Sequence, residues 1–488
     1  MFVCPPGDDL KQAVAGCLCH SPAFAPLTAL ATARLSRRSF LTGTAAFAAA
    51  AAIGSRGALA RVPAAPTAPL AFTNVKVFDR KSNALREGLT VSVGGNRITS
   101  VDAGNEPIDD GVQIIDGGGR TLMPGLIDNH WHAMMAAMAM TDLLTADVGY
   151  INLVAADQAE KTLMRGFTTV RDLGGPVFAL KRAIDLGIVP GPRIYPSGAM
   201  ITITGGHGDF RQLSDLPRLI GGPLTRMEQL GGSIIADGPD EVLVRAREQL
   251  MQGASQIKLT AGGGVASPFS PLDVLTFTEE ELRAAVEAAD NWGTYVAVHA
   301  YTPAAIQRSI TAGVKCVEHA HLMDDASARL MAEDGVWLST QPFLDDEDAI
   351  PFPPGSDQQS KQQEVISGTD KVYDLAKRYK IKTAFGTDTL FSEALANRQG
   401  AQLAKLVRWY TPAETLATAT SVNGELLRLS GPRNPYPDTL GLVEEGALAD
   451  LLLVDGNPLD DISLIADPAT NFKIIMKDGV IYKNTLTE

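Results

Sequence analysis

From residue 125 to about residue 430 the chain alternates short apolar runs with amphipathic stretches of helical period. That alternation is the pattern of repeated β/α units. Strands are expected at 125–132, 168–172, 193–197, 256–260, 295–299, 316–319, 336–340 and 383–388. Thr278 to Trp292 has the period of a helix, and Thr278 followed by Glu281 forms a capping box at its start. Thr411-Pro412-Ala413-Glu414 opens another helix in the same way, with proline at the first helical position. Eight such units in some three hundred residues predict an α/β fold, a (β/α)8 TIM barrel. Two connections are long. Residues 199–238 are glycine-rich and carry His207, Asp209 and Arg211, and residues 343–363 are rich in proline and acidic residues. Long segments at a barrel mouth shape substrate access, and the second reads equally well as a surface insertion.

Both ends of the chain have period two instead. Leu70 to Phe78, Leu89 to Val93 and Val112 to Ile115 alternate at one end, Ala449 to Val454 and Phe472 to Met476 at the other. Neither set has enough strands to close a core alone. The expectation is one β-sandwich, built from residues 61–124 and 431–488, flanking a barrel of residues 125–430.

Candidate chemistry collects at the ends of the barrel strands. In Asp128-Asn129-His130-Trp131-His132, alternation turns both histidines to one face and Trp131 to the other. Of seven histidines, all but His20 follow an apolar run or lie in a glycine-rich loop: His130, His132, His207, His299, His319 and His321. The C-terminal ends of barrel strands converge on one mouth, so these residues meet in space. Imidazoles so gathered suit zinc or a related divalent ion. Lys258 stands between Ile257 and Leu259 and faces the barrel interior. A buried lysine loses its charge readily, and the neutral amine reacts with carbon dioxide to give a carbamate. His207, Tyr301 and His321 neighbour these positions and could hold a substrate carboxylate or simply support the others. His321 shares a face with His319 if the strand continues. Arg171 and Asp172 read as a structural ion pair.

Pro124-Gly125-Leu126-Ile127-Asp128-Asn129-His130-Trp131-His132, with Lys258, His299, His319 and Asp388 of Gly386-Thr387-Asp388 following in order, resembles the amidohydrolase superfamily. The resemblance runs from about residue 70 to the end. Within it the chain is most similar to the branch of ochratoxin A amidohydrolases and Xaa-Pro dipeptidases. It implies two zinc ions bridged by carboxylated Lys258, one held by His130, His132 and Asp388, the other by His299 and His319. It implies Asp388 as general base. The reaction implied is hydrolysis of an amide to a C-terminal amino acid. A small-molecule substrate and a homo-oligomer, with an octamer among the assemblies in view, follow from the same resemblance. Two alternatives stay open in the sequence: a cyclic-amide hydrolase similar to imidazolonepropionase, and a scaffold without activity.

The first sixty residues change the expected location. Ser36-Arg37-Arg38-Ser39-Phe40-Leu41, a weakly apolar stretch to Ile53 and Ala58-Leu59-Ala60 have the form of a twin-arginine export signal and its cleavage site. The apolar stretch is too short to span a membrane. Residues 1–60 are therefore expected to be removed, leaving a periplasmic or secreted enzyme. They hold three of the four cysteines, so the mature chain keeps Cys316 alone and has no intrachain disulfide. Without their five basic and two acidic residues, 37 basic residues face 54 acidic ones, a net charge near −17. That balance argues against nucleic acid and anionic membranes as partners.

Overall fold

The computed structural model describes residues 68–79, 84–104, 107–215 and 222–486. The expected export leader lies outside these residues. The described chain opens with β1 (Leu70–Val77), β2 (Arg86–Gly94), β3 (Arg97–Ala103), β4 (Gln113–Asp116) and β5 (Thr121–Pro124). The barrel strands follow as β6 (Leu126–Trp131), β7 (Phe167–Asp172), β8 (Arg193–Pro196), β9 (Met200–Thr202), β10 (Ser233–Ile235), β11 (Ile257–Thr260), β12 (Val296–Ala300), β13 (Cys316–His319), β14 (Trp337–Thr340) and β15 (Thr383–Phe385). The last three are β16 (Leu451–Val454), β17 (Phe472–Lys477) and β18 (Val480–Asn484).

The two ends of the chain do pair. β5 runs antiparallel to β16, with Pro124 opposite Leu451. The ladder is one eight-stranded sheet, in the order β18-β17-β16-β5-β1-β2-β3 with β4 on β1, where the sequence suggested a sandwich. Its strands lack polar alternation at β16 because both faces are buried. Leu451 and Leu453 enter the core of the small domain. Leu452 and Val454 enter the core of the barrel. Arg193 of β8 reinforces the join through ion pairs with Asp450 and Asp478.

All eight expected barrel strands are present. Glu279–Trp292 is a helix with the capping box from Thr278 and Glu281, and Pro412–Ala417 has the same cap from Thr411 and Glu414. The parallel strands fall into two ladders, β6-β7-β8 and β10-β9-β11-β12-β13-β14-β15. Single backbone hydrogen bonds cross between them: Ser255 N donates to Pro196 O at 2.8 Å, and Asp388 N to His130 O at 2.8 Å. The segment 199–238 is not a plain loop. It contributes β9 and β10, and β9 meets β11 at Ile201 and Leu259. No helix among the described residues is long and apolar enough to cross a membrane.

Two strands end earlier than alternation suggests, and both endings build the mouth. β15 stops at Phe385 because side chains take up its backbone groups. Asn423 Oδ1 accepts from Phe385 N at 3.0 Å, and Asn423 Nδ2 donates to Phe385 O at 2.8 Å and to Ile127 O at 2.7 Å. β13 stops at His319, where His319 and Ala320 take left-handed φ of 75° and 56°. His321 therefore does not continue the strand face of His319.

Candidate active site

The mouth is assembled by side chains from β6, β11, β12 and β13 and from the turn after β15. His130 and His132 reach the same side of β6, as period two requires. Each places Nε2 3.2 Å from Asp388 Oδ1. Trp131 points away, into a separate apolar cluster. Asp388 stands three residues beyond β15, with φ of 50°. Strict alternation would place His319 opposite Glu318, but its left-handed backbone turns it to the mouth. One donor atom each from His130, His319 and Asp388 fall within 4.8 Å of one another. His299 lies beside His319, ring centroids 4.4 Å apart, and His207 is 4.4 Å from His299.

A second layer fixes these rings. Gly174 O lies 3.0 Å from His132 Nδ1, Gly263 O 2.8 Å from His299 Nε2, and Gln341 Oε1 2.7 Å from His319 Nδ1. Each such bond sets a tautomer and leaves the other nitrogen as a donor of electrons, the usual arrangement behind a metal-binding histidine. Glu318 Oε2 sits 3.0 Å from His130 Nδ1, while its Oε1 accepts from Arg171 at 2.7 Å. Arg171 thus forms its buried ion pair with Glu318, not with Asp172, because neighbours on a strand face opposite ways. Asp172 instead accepts from Ala133 N at 2.7 Å and steadies the chain after His132.

Asp128 gathers the remaining backbone. It accepts from His130 N at 3.0 Å, from Thr387 N at 3.1 Å and Thr387 Oγ1 at 2.8 Å, and from Gln399 at 2.8 Å. Burial raises its pKa to about 6 against these hydrogen bonds. Period two could have exposed this residue, since Asp128, His130 and His132 share one face of β6. Gln341, Gln399 and Asn423 gave no comparable signal, for they reach the site from loops and helices distant in sequence.

The electrostatics favour neutral donors. Burial, and then neighbouring positive groups, hold His130, His299 and His319 well below the ordinary histidine pKa. Burial opposes protonation of His132 too, but the hydrogen bond and charge of Asp388 outweigh it and raise its pKa. Lys258 is buried, its pKa lowered chiefly by desolvation. Among the described residues it makes no hydrogen bond or ion pair. Burial thus weakens its hold on a proton despite the attraction of Glu318 and Asp388 for the ammonium.

The pocket at this mouth, about 450 Å³, is lined by His130, His132, Lys258, His299, His319 and Asp388 among others. A larger cavity of about 850 Å³ shares His207, His299 and Asp388 with it. Its walls are mainly apolar: Val265, Phe343, Leu344, Ile350, Phe352, Val365, Ile366, Leu390 and Leu395. The 343–363 segment is therefore a wall of the mouth. Tyr301 and His207 line this cavity, and His321 does not. His321 bonds through Nε2 with Gln341 O at 3.0 Å and stacks on Phe343 at 4.9 Å. Its pKa is pushed down to about 4 by burial, and that of His207 to about 3. His207 packs over Gly264, where a Cβ would come within 2.1 Å of its Nδ1.

A TIM-barrel-type fold with histidines, a lysine and an aspartate around one mouth defines a class of hydrolases. The chain belongs to the amidohydrolase family, whose sequence profile matches residues 121–483. Ochratoxinase from Aspergillus niger is 30% identical over 376 residues, which cover 74% of this chain and 75% of that protein. The crystal structure of an amidohydrolase superposes with a TM-score of 0.78 at 36% identity, over 86% of this chain and all of the other. A prolidase complexed with N-methylphosphonate-L-proline gives the same TM-score at 32% identity and the same coverage. The chain is accordingly a hydrolase of amide C–N bonds acting on a small molecule.

Proposed function

We propose that the site hydrolyses the amide joining an apolar acyl group to a C-terminal amino acid. It would do so with two zinc ions held by His130, His132, His299, His319, Asp388 and a carboxylated Lys258. One observation carries the reading: these six residues converge on one mouth, beside a large apolar cavity. The donor set suits the ions. The 3.2 Å separations of His130 and His132 from Asp388 are close to the ligand–ligand edge of a tetrahedral zinc site, roughly 3.4 Å for bonds of about 2.1 Å. His130, His299 and His319 present nitrogens that burial keeps from protonating, and Lys258, buried without a hydrogen bond or ion pair among the described residues, fits an amine that becomes a carbamate. When bound, the ions supply Lewis acidity toward the scissile carbonyl and make water acidic enough to ionise near neutral pH.

The protein's own groups do the rest. Asp388 takes the proton of the attacking water and returns it to the leaving amine. Asp128 and the hydrogen bond from Asp388 N to His130 O keep that carboxylate in place. Tyr301 and His207 offer hydrogen bonds to the carboxylate of the leaving amino acid, and the apolar wall receives the acyl group. Ser36 to Ala60 would direct export through the twin-arginine route.

Carboxylate recognition is tested by comparing an N-acyl amino acid with its C-terminal amide. Losing the charge should cost about 2–3 kcal/mol, roughly a hundredfold in kcat/KM. Equal kcat/KM for the two would remove carboxylate recognition from the account.

A further inference from the structure

The apolar wall of the large cavity has little backbone structure of its own. Between β14 and the helix Asp357–Ser367 the chain forms only local turns, such as Ala349 N to Asp346 O at 3.1 Å. Two side chains tie its ends, Thr369 Oγ1 to Phe343 O at 2.7 Å and Gln362 Nε2 to Ile350 O at 3.0 Å. Its middle is held by charge. The acidic run Asp346-Glu347-Asp348 faces Arg398 and Lys405. Lys405 Nζ takes both oxygens of Asp346 at 2.7 Å and also pairs with Asp348. Arg398 pairs with Asp348, and with Glu347 at 2.7 Å.

These contacts differ in weight. Glu347 is 67% exposed, and its pair is worth little. Asp348 is 7% exposed, lines the cavity and is shared by two cations, of which Lys405 is 15% exposed. Removing Lys405 leaves a buried carboxylate against an apolar cavity with one partner, a state the segment relieves by opening toward water. The cations flank the helix Gln399–Ala404. That helix also sends Gln399 to Asp128 and Gln402 to Thr389 Oγ1 at 3.1 Å. Wall and catalytic turn hang from the same support by separate bonds.

We propose that Lys405, assisted by Arg398, is a specificity-determining positioning residue: it clamps the 343–352 wall and so sets the preference for a bulky apolar acyl group, an inference that rests on the amide-hydrolase reading above. The test compares wild type, Lys405→Met and Lys405→Arg on N-(2-naphthoyl)-L-phenylalanine and N-acetyl-L-phenylalanine, with amide hydrogen exchange over residues 343–352. Lys405→Met should raise KM for the naphthoyl substrate about tenfold and leave its kcat, and both constants for the acetyl substrate, within about twofold. Exchange over 343–352 should accelerate in that variant, and Lys405→Arg should restore both readouts. Equal changes for the two substrates, or unchanged exchange over the wall, would overturn the clamp. If wild type cleaves neither amide, the proposed function fails, and the exchange measurement by itself decides the clamp.

Discussion

At the scale of single residues, the proposed chemistry depends on groups whose charged form burial disfavours. Lys258 is the clearest. It is 2% exposed, makes no hydrogen bond or ion pair among the described residues, and lines the same pocket as His130, His132, His299 and His319. Its place on β11 was legible from the sequence, because Ile257 and Leu259 mark the opposite face. The position of His319 at the mouth was legible from its place at a strand end, and that of Asp388 only through the family resemblance. Their left-handed backbones reverse the directions that simple alternation assigns. The partner of Arg171 was not legible, since Glu318 lies on another strand 147 positions away. Lys258→Arg keeps the charge and cannot form a carbamate. It should lose nearly all turnover and bound metal while unfolding at close to the wild-type temperature. Near-normal kcat with full metal content in that variant would exclude the carbamate.

At the scale of elements, the decisive feature is the seam between β15 and β6. No strand ladder joins them. The Asn423 amide, the Asp128 carboxylate and backbone bonds from Asp388 N to His130 O, Phe391 N to Met135 O and Ser392 N to Ala136 O hold the turn that carries Asp388. Gly386 lies against β6 so closely that a Cβ would come 2.4 Å from His130 Cβ and 2.5 Å from His130 N. Backbone on both sides leaves no flexible neighbour to yield. Gly386→Ala should therefore displace Asp388 relative to His130. A misplacement of about 1 Å at reacting groups costs on the order of a hundredfold in rate. The expected result is a fall of that size in kcat with native circular dichroism, and a kcat within twofold of wild type would contradict the close approach. The sequence placed this glycine inside the expected strand 383–388, as part of the Gly386-Thr387-Asp388 motif. The tightness of the contact arises from Asn423, which the chain supplies nearly forty residues later.

At the scale of the whole molecule, both chain ends close one sheet whose inner face completes the barrel core. That pairing was foreseen from the strand-poor ends, whereas its single-sheet topology depends on β1 pairing with β2, β4 and β5 together. The proposed export leader adds a prediction about location. Arg37→Lys with Arg38→Lys should leave the precursor uncleaved in the cytoplasm, as shown by fractionation and N-terminal sequencing. Processed protein beginning near Arg61 would show that another route exports it. The central claim is the binuclear site, and it is tested most directly by counting ions against activity. Purified mature enzyme, titrated with zinc after chelation, should regain turnover of an N-acyl amino acid in step with a second equivalent per chain, reaching about two zinc ions at full activity. Full activity at one ion per chain, or with none, would contradict the account.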